Sequence, residues 1–118
     1  MLRVGTDCSG IDSPIQALKE LGIEFTHEFS SDIDQHCINT IVANHAPKRI
    51  FRDILTRPLE EVPDIDLYIA GFPCQPYSNA GKRKGVEDVR YKVYEKVVEL
   101  INYKKPKYFI LENVVQFE

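Results

Sequence analysis

The sequence predicts an α/β fold, a mostly parallel sheet with helices on both faces. Short apolar runs rich in β-branched and aromatic residues recur along it. Stretches with apolar residues every three or four positions separate those runs, and the resulting order is βαβαβ followed by βαβ.

The first strand runs from about Leu2 to Asp7. A helix follows in which Ile11, Ile15, Leu18 and Leu21 share a face, closed by Gly22, since glycine tolerates the left-handed conformation that ends helices. A second strand spans about Glu24 to Ser30. The helix from about Asp34 to Asn44 presents Cys37, Ile38, Ile41 and Val42, and Pro47 marks its end. Ile50 to Ile54 reads as a short third strand and Pro58 to Pro63 as a connection. The run Leu67-Tyr68-Ile69-Ala70 has no polar alternation, as expected of a strand buried on both faces. Tyr94, Val97, Val98 and Ile101 then mark a helix, and Tyr108 to Leu111 a fifth strand.

Composition narrows the functional classes. At 118 residues and 43% hydrophobic, the chain is sized for one domain with one core. No apolar run reaches the roughly 18 residues of a membrane span, and Met1-Leu2-Arg3 leads into a strand rather than a signal peptide. A soluble, intracellular protein, cytoplasmic or nuclear, is expected. Cys8, Cys37 and Cys74 are odd in number and far apart, which suggests neither a disulfide framework nor a thiol zinc site, and no metal is expected. The net charge of −3 gives no general attraction to phosphate, so any grip on nucleic acid is local. The basic cluster Lys82-Arg83-Lys84 is the candidate.

Ligands of open α/β sheets bind beyond the carboxyl ends of the strands, where loops and helix N-termini converge. Ser9-Gly10 follows strand one, Asp32 follows strand two, Asp53 ends strand three, Cys74 follows strand four and Glu112-Asn113 follows strand five. All five sites fall on one edge. The turn from Asp7 to Asp12 is compatible with close approach of backbone to a nucleotide, or with an ordinary loop in which Gly10 serves only the turn. Asp32 is placed to accept hydrogen bonds from ribose hydroxyls and Asp53 to receive an adenine amino group; either also suits a helix cap or a solvated loop acid.

The segment Gly71-Phe72-Pro73-Cys74-Gln75-Pro76-Tyr77-Ser78 is more specific. Two prolines flank the cysteine and stiffen the loop, which suits a positioned nucleophile, although on residue type alone a buried, inert thiol is commoner. Glu112 shifts the balance, because a βαβ unit brings its carboxyl to the crevice that holds the thiol, and the pair permits nucleophilic and acid-base chemistry. A salt bridge to a lysine is the alternative for Glu112. Lys82-Arg83-Lys84-Gly85 and Arg90 either close over a phosphate backbone or form a solvated charge run. A thiol hydrolase would need a general base near Cys74, but His27, His36 and His45 all fall in or beside the second strand and its helix.

With GFPCQPYS, GKRKGVEDVR and ENVVQFE in this order, the sequence resembles the cytosine-C5 DNA methyltransferase family over nearly its whole length. The resemblance implies a Rossmann-like fold that uses S-adenosyl-L-methionine, and methyl transfer to C5 of a cytosine flipped out of DNA. Cys74 matches the family's nucleophile, Glu112 the acid of its ENV motif, Asn113 a supporting residue, and Arg90 the arginine after the mobile loop. Ser9, Gly10, Ile11, Asp32, Ile33, Asp53, Ile54, Gly71 and Pro73 match positions around the cofactor. The first turn departs from the pattern: Cys8 stands at the aromatic position and Asp12-Ser13 replace a glycine pair. Residues 1–118 then correspond to part of a catalytic domain, truncated after the fifth strand, without a target-recognition region. Activity is expected only with a complementing C-terminal chain, which, or self-association, would cover the exposed sheet edge. A tRNA cytosine methyltransferase, or a non-catalytic regulatory or binding module of this fold, is the alternative.

Overall fold

In a computed structural model, which describes residues 1–72 and 89–112, five parallel strands form one sheet in the order β3-β2-β1-β4-β5. The elements are β1 (Leu2–Asp7), α1 (Ser13–Glu20), β2 (Phe25–Ser31), α2 (Gln35–Asn44), β3 (Arg49–Phe51), β4 (Leu67–Ala70), α3 (Val89–Lys104) and β5 (Tyr108–Leu111). Progress leftward from β1 to β3 and rightward from β4 to β5 puts the topological switch between β1 and β4. Right-handed crossovers then send α1 and α2 to one face and α3 to the other.

Two cores follow from this. On the α1 face Val4, Ile15, Leu67 and Ile69 pack together; on the α3 face Phe29, Phe51, Tyr68, Val97 and Leu100 lead a larger cluster. All of β4 is buried, as a strand covered on both faces must be, whereas all of β5 is exposed. Gly5 is fixed by packing. Phe29, its cross-strand partner, lays its ring over the backbone, so a Cβ on Gly5 would lie 2.2 Å from Phe29 Cε2.

The first helix starts later than its apolar spacing suggests. Asp12 adopts a left-handed conformation (φ 63°, ψ 46°), and α1 begins beyond it with Pro14 in its first turn, so Ile11 is left outside the helix and exposed. Leu21 is also exposed at the C-terminus, where Gly22 (φ 72°) closes the helix as expected. In α2 the buried residues are Ile38 and Ile41, while Val42 faces outward. Strand β3 stops at Phe51 because Asp53 turns the chain, accepting the Leu55 amide on its side chain and the Thr56 amide on its carbonyl. In α3 the fully buried residues are Val97 and Leu100.

Asp12 turns inward rather than capping α1. Its buried carboxylate accepts hydrogen bonds from Thr6 Oγ1 (2.7 Å) and Ser30 Oγ (2.5 Å). Since Ser30 spends its proton on Asp12, His27, 2.7 Å from Ser30 Oγ, must donate from Nε2. Its buried Nδ1 is then a lone pair with no partner among the described residues. Burial, with His45 and Lys19 nearby, pulls the His27 pKa down to about 4. A histidine depressed in this way contributes stability that is present above its unfolded value near 6.5 and lost as pH falls toward 4. The Asp12 carboxyl, pushed up mainly by burial, acts in the opposite sense. In an NMR titration the His27 ring protons should therefore shift with a midpoint near pH 4. A midpoint near 6.5 would show the ring to be solvated.

Candidate active site

The carboxyl ends of the strands frame a cleft of about 490 Å³, lined by Cys8, Gly10, Ser31, Asp32, Ile33, Arg52, Asp53, Ile54, Leu55, Gly71 and Val93. That size suits a small-molecule ligand. Its floor is the first turn, where Cys8 (φ 51°), Gly10 (φ 59°) and Asp12 (φ 63°) are all left-handed. Asp32 holds this turn in place: one carboxylate oxygen accepts the Gly10 amide at 2.8 Å and the other the Asp34 amide at 3.0 Å. Ser9 adds a second tie, accepting the Ser31 amide on its hydroxyl at 2.9 Å and donating its own amide to the Ser31 carbonyl at 2.8 Å. The lining is largely apolar and includes exposed Ile33 and buried Ile54.

Glu112 does not line this cleft. The Glu112 amide bonds to the Ala70 carbonyl at 2.9 Å, continuing the β4–β5 ladder, and its Oε1 lies 3.3 Å from where a Cβ on Gly71 would be. Gly71 thus lets the carboxylate lie against the end of β4. Glu112 shares a small cavity of about 40 Å³ with Thr6, Ser9 and Asp12, and Cys8 and Gly71 border both cavities. The Cys8 thiol is unsuited to nucleophilic work. Burial, reinforced by Asp7 and Asp32, pushes its pKa up to about 12 and keeps it neutral.

Of the residues expected to meet a cofactor, Gly10, Asp32, Ile33, Asp53, Ile54 and Gly71 line the cleft. Ser9 faces the smaller cavity, and Ile11 lies on a groove between α1 and α2. Pro73, Cys74, Asn113 and the Lys82-Arg83-Lys84 cluster lie outside the described residues, as does the side chain of Arg90 in the first turn of α3. Cys8, Ser31, Arg52, Leu55 and Val93 also line the cleft and are not among the residues expected from the sequence. Leu55 was within reach as the neighbour of Ile54, whereas Val93 enters only through the path of α3 across the sheet.

The family model for the C-5 cytosine-specific DNA methylases matches residues 7–118. The chain belongs to this family. Type II methyltransferase M.NlaX of Neisseria lactamica is 41% identical over 90 residues, which cover 76% of this chain and 29% of that protein. Orphan methyltransferase M.Rho11sI of Bacillus phage rho11s is 36% identical over 115 residues, or 96% of this chain and 23% of the relative. The chain therefore spans about a quarter of the length of these relatives. The crystal structure of the S. pombe Dnmt2 methyltransferase superposes with a TM-score of 0.80 at 28% identity, covering all of this chain and 38% of that one. The Rossmann-like methyltransferase fold is thus shared with these methyltransferases. No helix among the described residues is long and apolar enough to cross a membrane.

Proposed function

We propose that this methylase chain binds S-adenosyl-L-methionine in the cleft and takes part in transferring its methyl group to C5 of cytosine in DNA. The observation that carries the reading is a largely apolar cleft lined by two carboxylates, Asp32 and Asp53, whose lining residue Gly71 also touches an acid, Glu112. Ile33 and Ile54, which follow these aspartates in the chain, line the same cleft. The residues fit an adenosyl group. Asp32 retains lone pairs for ribose hydroxyls after accepting two amides, Ile33 and Ile54 offer flat apolar contact to adenine, and left-handed Gly10 has no side chain to obstruct approach. When bound, the cofactor supplies an electrophilic methyl group.

Cytosine C5 is a weak nucleophile until another group adds to the ring. In the proposed reaction the Cys74 thiolate adds to C6, and electron density moves toward C5 and N3. Glu112 relieves the charge by protonating or hydrogen-bonding N3, with Asn113 holding the carboxyl in place. After methylation, loss of the C5 proton expels the thiolate. Arg90 and the Lys82-Arg83-Lys84 cluster contact the phosphate backbone, and the target base is flipped out of the duplex. A further segment, supplied by a longer chain or a second polypeptide, would cover β5. Its residues Tyr108, Phe109 and Ile110 are each more than half exposed, and the relatives are far longer than this chain.

The test is covalent trapping. DNA containing 5-fluorocytosine blocks the final proton loss, so incubation with cofactor and a C-terminal complement should give a protein–DNA adduct absent in Cys74→Ala. Adduct formation only with the corresponding RNA would move the substrate to tRNA. Cofactor binding without an adduct on either polymer would favour a regulatory module.

A further inference from the structure

We infer that Arg57, which does not line the cleft, is the positioning residue that holds the loop wall after β3 in register with the floor. The inference rests on the cofactor reading above and names a residue which that reading does not use. Arg57 follows the wall residues Asp53, Ile54 and Leu55 by one turn of loop. Its Nη1 and Nη2 donate to the two carboxylate oxygens of Asp7 at 2.7 and 2.9 Å. Asp7 immediately precedes Cys8 in the floor of the cleft. The two side chains are 2% and 0% exposed.

The Asp7 carboxylate is a junction. It also accepts hydrogen bonds from Ser31 Oγ (2.6 Å) at the end of β2 and from Tyr68 Oη (2.5 Å) in β4. The guanidinium, held 5.7 Å from the Phe29 ring centroid and 5.3 Å from that of Phe51, is the group that joins the loop after β3 to this junction. Buried ion pairs are poor sources of net stability, because desolvation offsets the attraction. A planar fork bound through both ends nevertheless permits one relative placement of its partners. An apolar side chain would fill the same space and leave the loop free to slide. Arg57 Nε has no partner among the described residues, so the bidentate pair with Asp7 is what orients the group.

The experiment is calorimetric titration of the 118-residue chain with S-adenosylhomocysteine, beside amide hydrogen exchange of the ligand-free protein. Arg57→Lys keeps the charge and removes the fork; it should raise Kd about tenfold and speed exchange at Leu55 and Thr56. Ile41→Ala, which destabilises α2 on the other face, should leave Kd within about twofold of wild type, setting position apart from general stability. Equal effects of the two variants on Kd, or a lower melting temperature in Arg57→Lys with Kd and exchange unchanged, would overturn the inference. If Arg57→Lys does not fold, the wild type decides. Its Leu55 and Thr56 amides should exchange as slowly as those of β1, and exchange at open-loop rates would overturn the clamp. Failure of the wild type to bind S-adenosylhomocysteine would refute the cofactor reading, while exchange still reports on Arg57.

Discussion

Gly5→Ala should destabilise the protein by about 3 kcal/mol or more, a large share of the roughly 5–15 kcal/mol that holds a domain of this size together. The added methyl carbon would stand 2.2, 2.6 and 2.7 Å from three atoms of the Phe29 ring. That ring cannot withdraw, being fully buried, packed edge-on against Phe51 with centroids 5.9 Å apart and lying beneath Arg57. Relief would have to come from the backbone of β1, the central strand, whose register with β2 already shifts between Val4 and Gly5. Thermal unfolding should show a midpoint lower by on the order of 10 °C. An unchanged midpoint would mean that β1 and β2 pair differently.

Glu112→Gln should lower methyl transfer by about 10²- to 10⁴-fold in the completed enzyme, the range expected when a general acid is removed. The amide keeps the shape and can still donate a hydrogen bond to N3, but it cannot transfer a proton to it. Stability should hardly change, because the side chain is exposed. A steady-state assay beside a melting curve separates the two effects. Full activity in Glu112→Gln would remove the acid from the mechanism.

The elements that were legible in the sequence are those set by local apolar content. Leu2 to Asp7 and the unbroken run Leu67 to Ala70 became β1 and β4 with the expected bounds, since burial on both faces leaves little room for another pattern. The cleft was legible for the same reason, because in a parallel sheet the residue after each strand is carried to one edge whatever else the chain does. Asp32, Asp53 and Gly71 arrive there through strand position alone. What stayed hidden depends on residues far apart in sequence. Asp12 leaves the helix because Thr6 and Ser30 draw its carboxylate into the interior, and this releases Ile11 from the apolar face that its spacing suggested. Nothing around Arg57 in the sequence signals its role, because its partner Asp7 stands 50 residues earlier.

The claim on which the functional account turns is that the cleft beyond β1, β2 and β3 receives the adenosyl group. Titration of isotope-labelled protein with S-adenosylhomocysteine, followed by amide chemical shifts, tests it directly. The account predicts saturable shifts at Gly10, Asp32, Ile33, Ile54 and Gly71, with Gln16, Thr40 and Asn44 on the groove between α1 and α2 unmoved. Saturable shifts confined to that groove, or none at any ligand concentration, would contradict it.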